Sequence, residues 1–139
     1  MLSENLNLFL CNLNVIARRI ASDHNLSASQ YFTLNAISSI GINMTDLSKR
    51  VGIDNSTLTR NINILIKDKL VVKTRSKTDL RGFIIYLTNE GNTIIDLMEK
   101  QMNLLIKDMT ADLKSSEREN IAEILSKLNW KLSCHFNEL

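Results

Sequence analysis

Residues 45–68 read Thr-Asp-Leu-Ser-Lys-Arg-Val-Gly-Ile-Asp-Asn-Ser-Thr-Leu-Thr-Arg-Asn-Ile-Asn-Ile-Leu-Ile-Lys-Asp. Thr45 is of a type that caps a helix, here a short one carrying Leu47 and Val51, and Gly52 ends it in a backbone conformation that glycine adopts without steric cost. Asp54 caps a longer helix running to about Asp68. Within it Leu58, Ile62 and Leu65 fall on one face, and Ser56, Thr59, Arg60 and Asn63 fall on the opposite face at the same spacing. A short helix, a tight turn and a second helix with a polar outer face make a helix-turn-helix.

Outward from that unit, Leu70 to Arg75 and Phe83 to Leu87 are rich in β-branched and aromatic residues, and the polar run Ser76 to Gly82 separates them. The pattern predicts a two-stranded hairpin with a charged tip, a wing. Upstream, Leu6, Phe9, Leu10, Leu13, Ile16, Ala17 and Ile20 make one helical stripe over residues 5 to 21. Ser27 and Gln30 have the form of a capping box, followed by Tyr31, Leu34, Ile37 and Ile40 before Gly41 stops the run. Downstream, Thr88 caps a helix with Gly91, Ile95, Met98, Met102, Leu105 and Met109 spaced three and four apart. Such a helix of some 25 residues would be about 37 Å long, more than a small lobe needs. Ser116 and Glu119 suggest a capping box for a last helix carrying Ile121, Leu125, Leu128, Leu132 and Phe136. The fold class is mainly α with a small β wing (α+β): a winged helix-turn-helix with N- and C-terminal helices left over. The stripes of those outer helices need a partner, and a second subunit is the simplest supplier.

The totals agree with this reading. The 139 residues suit one compact domain, or a small lobe whose helices a second copy completes. There is no proline to interrupt a helix. The net charge of +2 is unevenly placed. From Asn43 to Gly82 nine basic residues face four acidic ones, whereas from Thr88 onward six basic residues face nine acidic ones. One segment is built to meet a polyanion and the other avoids one. The N-terminus lacks the basic-then-apolar order of a secretory signal, and no run approaches the roughly 18 apolar residues of a membrane span. A cytoplasmic protein with no membrane partner is expected. Cys11 and Cys134 lie at opposite ends of the chain, without disulfide or zinc spacing.

From Leu47 to Gly91 the chain resembles the MarR-type winged-helix regulators. Two strings carry the resemblance. The first is Leu47-Ser48-Lys49-Arg50-Val51 followed by Asn55-Ser56-Thr57-Leu58-Thr59-Arg60. The second is Asp79-Leu80-Arg81-Gly82 followed by Leu87-Thr88-Asn89-Glu90-Gly91. Their order and spacing, with helices before and after, extend the likeness over 1–139 as a single MarR-like domain. The resemblance implies a DNA-binding lobe at 30–88 and dimerisation helices at 1–26 and 89–139. It further implies a homodimer on a pseudo-palindromic operator of double-stranded DNA, usually as a repressor released by a small aromatic effector or by oxidation, with no cofactor. Lys69 departs from the family, which commonly has glycine there; either Lys69 is held in a left-handed conformation or the turn differs.

The major groove of B-DNA is about 12 Å wide and accepts one helix, whose short polar side chains and arginines read base edges. Ser56, Thr57, Thr59, Arg60 and Asn63 supply those types in the N-terminal half of the second helix. Arg60 and Asn63 are the candidates for reading bases, and Ser56 and Thr57 for holding phosphate at the positive end of the helix dipole. The wing carries Arg75, Lys77 and Arg81. By resemblance, Arg81 enters the minor groove while Asp79 steadies a neighbouring arginine; a narrow A·T-rich minor groove favours arginine. The plainer readings are a solvated helix face for Arg60 and Asn63, and a surface ion pair for Asp79 with Arg81.

Cys11 and Tyr31 are similar to the cysteine and tyrosine of the peroxide-sensing members, although no second tyrosine lies between the helices; inert packing is the alternative. His24 and His135 have no companions at metal-ligand spacing and read as surface or packing residues. Met98, Met102 and Met109 suit core packing better than a ligand pocket, and Trp130 suits an interface anchor. A winged helix can also dock protein through the same surfaces, but such a module has no need for Arg75, Lys77 and Arg81 on one tip. An enzyme is disfavoured, because no phosphate-cradling glycine loop, metal cluster or nucleophile with a nearby base is recognisable.

Overall fold

The local capping chemistry decides where the helices begin. In the computed structural model, which describes residues 1–79 and 82–137, helix α1 spans Leu2–Asp23 and α2 spans Ala28–Ala36. Ser27 caps α2 as expected: its Oγ accepts from the Gln30 N–H at 3.1 Å, and the Gln30 carboxamide accepts from the Ser27 N–H at 3.0 Å. The helix ends at Ala36, earlier than Ile40. The apolar spacing of Ile37 and Ile40 continues past it, but Ser38 Oγ donates to the Gly41 carbonyl at 2.8 Å and closes a turn there. A two-residue strand, β1 (Ile42–Asn43), follows. Helix α3 covers Met44–Val51, and its cap is Asn43 rather than Thr45: Asn43 Oδ1 accepts from the Asp46 N–H at 2.8 Å. Gly52 terminates α3 in the left-handed region (φ 72°).

Helix α4 (Asn55–Lys67) leads into the hairpin of β2 (Val71–Arg75) and β3 (Phe83–Leu87). The sheet order is β1-β3-β2, all antiparallel, with Val71 opposite Leu87, Lys73 opposite Ile85 and Arg75 opposite Phe83. Lys69 does stand in the left-handed region (φ 61°), so the turn between α4 and β2 keeps its geometry without glycine. Holding a non-glycine residue there costs about 1–2 kcal/mol.

Helix α5 (Asn89–Met109) has 21 residues, so at about 1.5 Å each it is somewhat shorter than expected. Thr88 opens it, accepting from the Gly91 N–H at 3.0 Å. Helix α6 (Ser115–Asn137) starts one residue before Ser116, and Glu117 rather than Glu119 folds back, accepting from the Lys114 N–H at 2.8 Å.

The chain forms two compact units, Met1–Met102 and Asn103–Leu139. The core of the first gathers Ile20 and Ala21 of α1, Leu34 of α2, Leu47 of α3, Leu58, Ile62 and Leu65 of α4, Val71 and Ile85 of the sheet, and Met98 of α5. Each fully buried aliphatic side chain stabilises the lobe by about 1.5–3 kcal/mol relative to exposure. Outside this core the apolar stripes are bare. Leu2, Leu6, Phe9 and Leu10 of α1 are exposed, as are Ile121, Leu125, Leu128, Trp130, Leu132 and Phe136 of α6. A single chain therefore leaves the first half of α1 and the length of α6 uncovered.

Candidate nucleic-acid interface

The outward face of α4 is assembled from its cap upward. Asp54 Oδ1 accepts from the Thr57 N–H at 2.6 Å. That backbone hydrogen bond, then the Thr57 side chain, holds the Asp54 carboxyl below its usual value of 3.8, with a smaller contribution from the Arg60 charge. A carboxylate with a lowered folded pKa lends stability that is fully present above the unfolded value and is lost as pH falls through the folded one. The protection of the Thr57 amide, its exchange rate taken relative to an unstructured chain at the same pH, should therefore hold near neutral pH and fall as the pH drops below 3.8 in the wild-type protein, and an Asp54→Asn variant should show no such step. Identical profiles would show that the cap is not carried by the charge.

Past the cap, Ser56, Thr59, Arg60 and Asn63 are exposed and Thr57 is half-buried. Thr59 spends its hydroxyl proton on the Asn55 carbonyl at 2.7 Å, so it presents lone pairs and a methyl group outward. On the opposite face Leu58, Ile62 and Leu65 are buried, as expected, and Asn61 lies among them at 6% exposure. The Asn61 amide donates to Ser29 Oγ at 2.7 Å and to Thr33 Oγ1 at 3.5 Å. Branched aliphatics tolerate a small roll of a helix, whereas a buried directional hydrogen bond does not. Asn61 thereby fixes which residues of α4 look outward. Sequence reading misses it; its one signal is its place three residues after Leu58 and four before Leu65.

The second cationic element is the hairpin. At its tip, Ser76 Oγ accepts from the N–H groups of Thr78 and Asp79, both at 3.3 Å, and the Ser76 N–H donates to the Gly82 carbonyl at 2.9 Å. Arg75, Lys77 and Asp79 are exposed there. Arg81 lies outside the described residues. A third contribution comes from α3, where Lys49 is exposed and Arg50 donates to the Ala36 carbonyl at 3.3 Å, capping the C-terminal end of α2.

Away from this surface, Cys11 is exposed on α1, and Tyr31 is half-buried against the core with its ring edge-on to Phe32 at 5.2 Å. Burial raises the Tyr31 phenol above its ordinary value of 10.0. No hydrogen bond joins Cys11 to Tyr31 among the described residues. His24 ties α1 to α5, its Nε2 lying 2.8 Å from Gln101 Oε1, while Gln101 Nε2 donates to Asp23 at 3.0 Å. Among the described residues, no three or more His, Cys, Asp or Glu are grouped to hold a metal ion, and no helix is long and apolar enough to cross a membrane.

A capped polar helix beside a cationic hairpin, with α2 and α3 behind it, defines the winged helix-turn-helix class. Residues 16–98 match the family described as Transcriptional regulator SarA/Rot, and the chain belongs to that family of transcriptional regulators. It is 25% identical over 135 residues to the HTH-type transcriptional regulator TcaR of Staphylococcus aureus (strain Newman), covering 93% of this chain and 89% of TcaR. Among solved structures, MarR from Peptoclostridium difficile superposes with a TM-score of 0.80 at 22% identity, covering 99% of this chain and 90% of that one. A mutant MepR of S. aureus bound to an oligodeoxyribonucleotide superposes with a TM-score of 0.66 at 18% identity, covering 95% of this chain and 98% of that one. The fold is thus that of the MarR regulators, and the relatives are named as regulators rather than enzymes.

Proposed function

We propose that this regulator acts as a homodimer on double-stranded DNA, placing one copy of α4 in each of two successive major grooves of a pseudo-palindromic operator. The observation that carries this reading is the joint exposure of Ser56, Thr59, Arg60 and Asn63 on a helix whose roll is fixed by Asn61, beside a hairpin bearing Arg75 and Lys77. The DNA-bound state of the similar MepR supports it. The bare stripes of α1 and α6 are the dimer surface, and bound operator represses a promoter until a small aromatic effector releases it. Regulation of this kind takes place in the cytoplasm.

Two measurements test the reading. Sedimentation should give twice the chain mass. Fluorescence anisotropy on a duplex from the gene's own promoter should show affinity falling about 10³- to 10⁵-fold between 50 and 200 mM salt, the scale for roughly 6 to 10 phosphate contacts. A monomer, or no binding to any duplex at the lower salt, overturns it.

A further inference from the structure

Strand register sorts the hairpin's side chains into two unlike faces. Val71, Lys73 and Arg75 of β2 stand opposite Leu87, Ile85 and Phe83 of β3, so these six share one face. Val72, Thr74, Ile84 and Tyr86 share the other, which carries no charge. On the first face Val71 and Ile85 are buried in the core cluster that also holds Leu58, Ile62 and Leu65 of α4. Every cation of the two strands is therefore on the side of the sheet against which α4 packs, where an apolar core would ordinarily continue.

At the point where that core gives out stands the half-buried ring of Phe83. Lys73 Nζ lies 4.3 Å from the ring centroid and Arg75 Cζ lies 6.0 Å from it. Lys73 is well within, and Arg75 at the outer edge of, the range of about 6 Å over which a ring's negative face attracts a cation. Neither Lys73 nor Arg75 makes a salt bridge among the described residues, so the ring is the group that orders them. Long cationic side chains otherwise lose considerable rotamer freedom on binding.

From this arrangement we infer that Phe83 is a positioning residue for the proposed DNA contact, a shelf that pre-orders Lys73 and Arg75 toward the phosphate backbone. It makes Lys73 a phosphate ligand that the sequence alone does not single out. This rests on the duplex-binding reading above. Phe83 itself needs to touch no nucleotide. Each cation held in advance is worth roughly a two- to fivefold gain in affinity, on the scale of an exposed cation and ring pair.

The test is a double-mutant cycle on the full-length protein, using a fluorescently labelled random-sequence 30-base-pair duplex as probe, since phosphate binding does not depend on sequence. Phe83→Leu keeps an apolar side chain on the strand but removes the ring face; it should weaken binding several-fold, and Phe83→Tyr should restore it. In a Lys73→Met/Arg75→Met background, Phe83→Leu should change nothing further, because the groups it orders are gone. Lys73→Met alone should lower the slope of log affinity against log salt by about 0.9 for each phosphate that Lys73 neutralises in the wild-type complex. Additive effects in the cycle, or a wild-type slope in Lys73→Met, overturn the inference while leaving duplex binding intact. Failure of the wild-type protein to bind the probe is the separate outcome that overturns duplex binding and the shelf together. If Phe83→Leu lowers the melting temperature, the slope of the surface variant Lys73→Met decides.

Discussion

Arg60→Ala will sharply reduce sequence discrimination while leaving a folded protein that still clings weakly to any duplex. Arg60 is exposed on α4 and its guanidinium makes no salt bridge among the described residues, so its forked donors are available to a guanine edge. A bidentate base contact is worth about 1–3 kcal/mol of discrimination. In the proposed dimer it would be made twice, so the specific complex should weaken by between about 30-fold and 10⁴-fold, as each 1.4 kcal/mol is tenfold. Binding to scrambled DNA should change far less, since on the proposed reading it draws mainly on the wing and the other phosphate contacts. Competition anisotropy with promoter and scrambled duplexes measures the ratio directly. An unchanged ratio would remove Arg60 from the reading face and leave Asn63 as the remaining candidate.

Gly91→Ala should destabilise the fold, because the added methyl group meets backbone. A Cβ there would stand 2.1 Å from the carbonyl oxygen of Leu70 and 3.1 Å from its carbon. Both are backbone atoms, so no side chain can swing aside. That same oxygen accepts from the Thr88 N–H at 3.0 Å, so retreat of the Leu70 peptide would also break the bond joining β2 to the start of α5. Alanine normally favours a helix by about 0.5–1 kcal/mol over glycine, but overpacking costs about 1–3 kcal/mol and sometimes more. The sign is therefore destabilising, and thermal denaturation should show a melting temperature several degrees lower. An equal or higher melting temperature would mean that α5 can shift along β2 at little cost.

The elements that can be read from sequence are those whose chemistry is local. Ser27 with Gln30, Asp54 and Thr88 place their helix starts correctly because each cap involves residues three apart. The hairpin is legible because β-branched flanks enclose a polar tip, and the structure returns strands at Val71–Arg75 and Phe83–Leu87. Where two neighbouring residues could both cap, spacing does not choose: Asn43 takes the role expected of Thr45, and Glu117 folds back where Glu119 is expected. The early end of α2 and strand β1 escape notice for another reason. Strand β1 depends on the pairing of Ile42 with Ile85, forty-three positions apart, and the early end of α2 on a turn closed between Ser38 and Gly41 that the apolar spacing does not reveal. Within the site, the outward set of α4 is legible from its period, whereas the roll-fixing role of Asn61 requires knowing that Ser29 lies beneath it.

Three bonds meet at Thr88. Its N–H donates to Leu70, its hydroxyl donates to Lys69 at 2.7 Å, and the same oxygen receives the Gly91 N–H. The exit from α4, the root of the wing and the first turn of α5 are thereby knotted at one threonine. The first turn of α5 is thus tied directly to the end of α4 and to the root of the wing. In the proposed dimer, a displacement of the first turn of α5 would carry the wing root and the end of α4 with it.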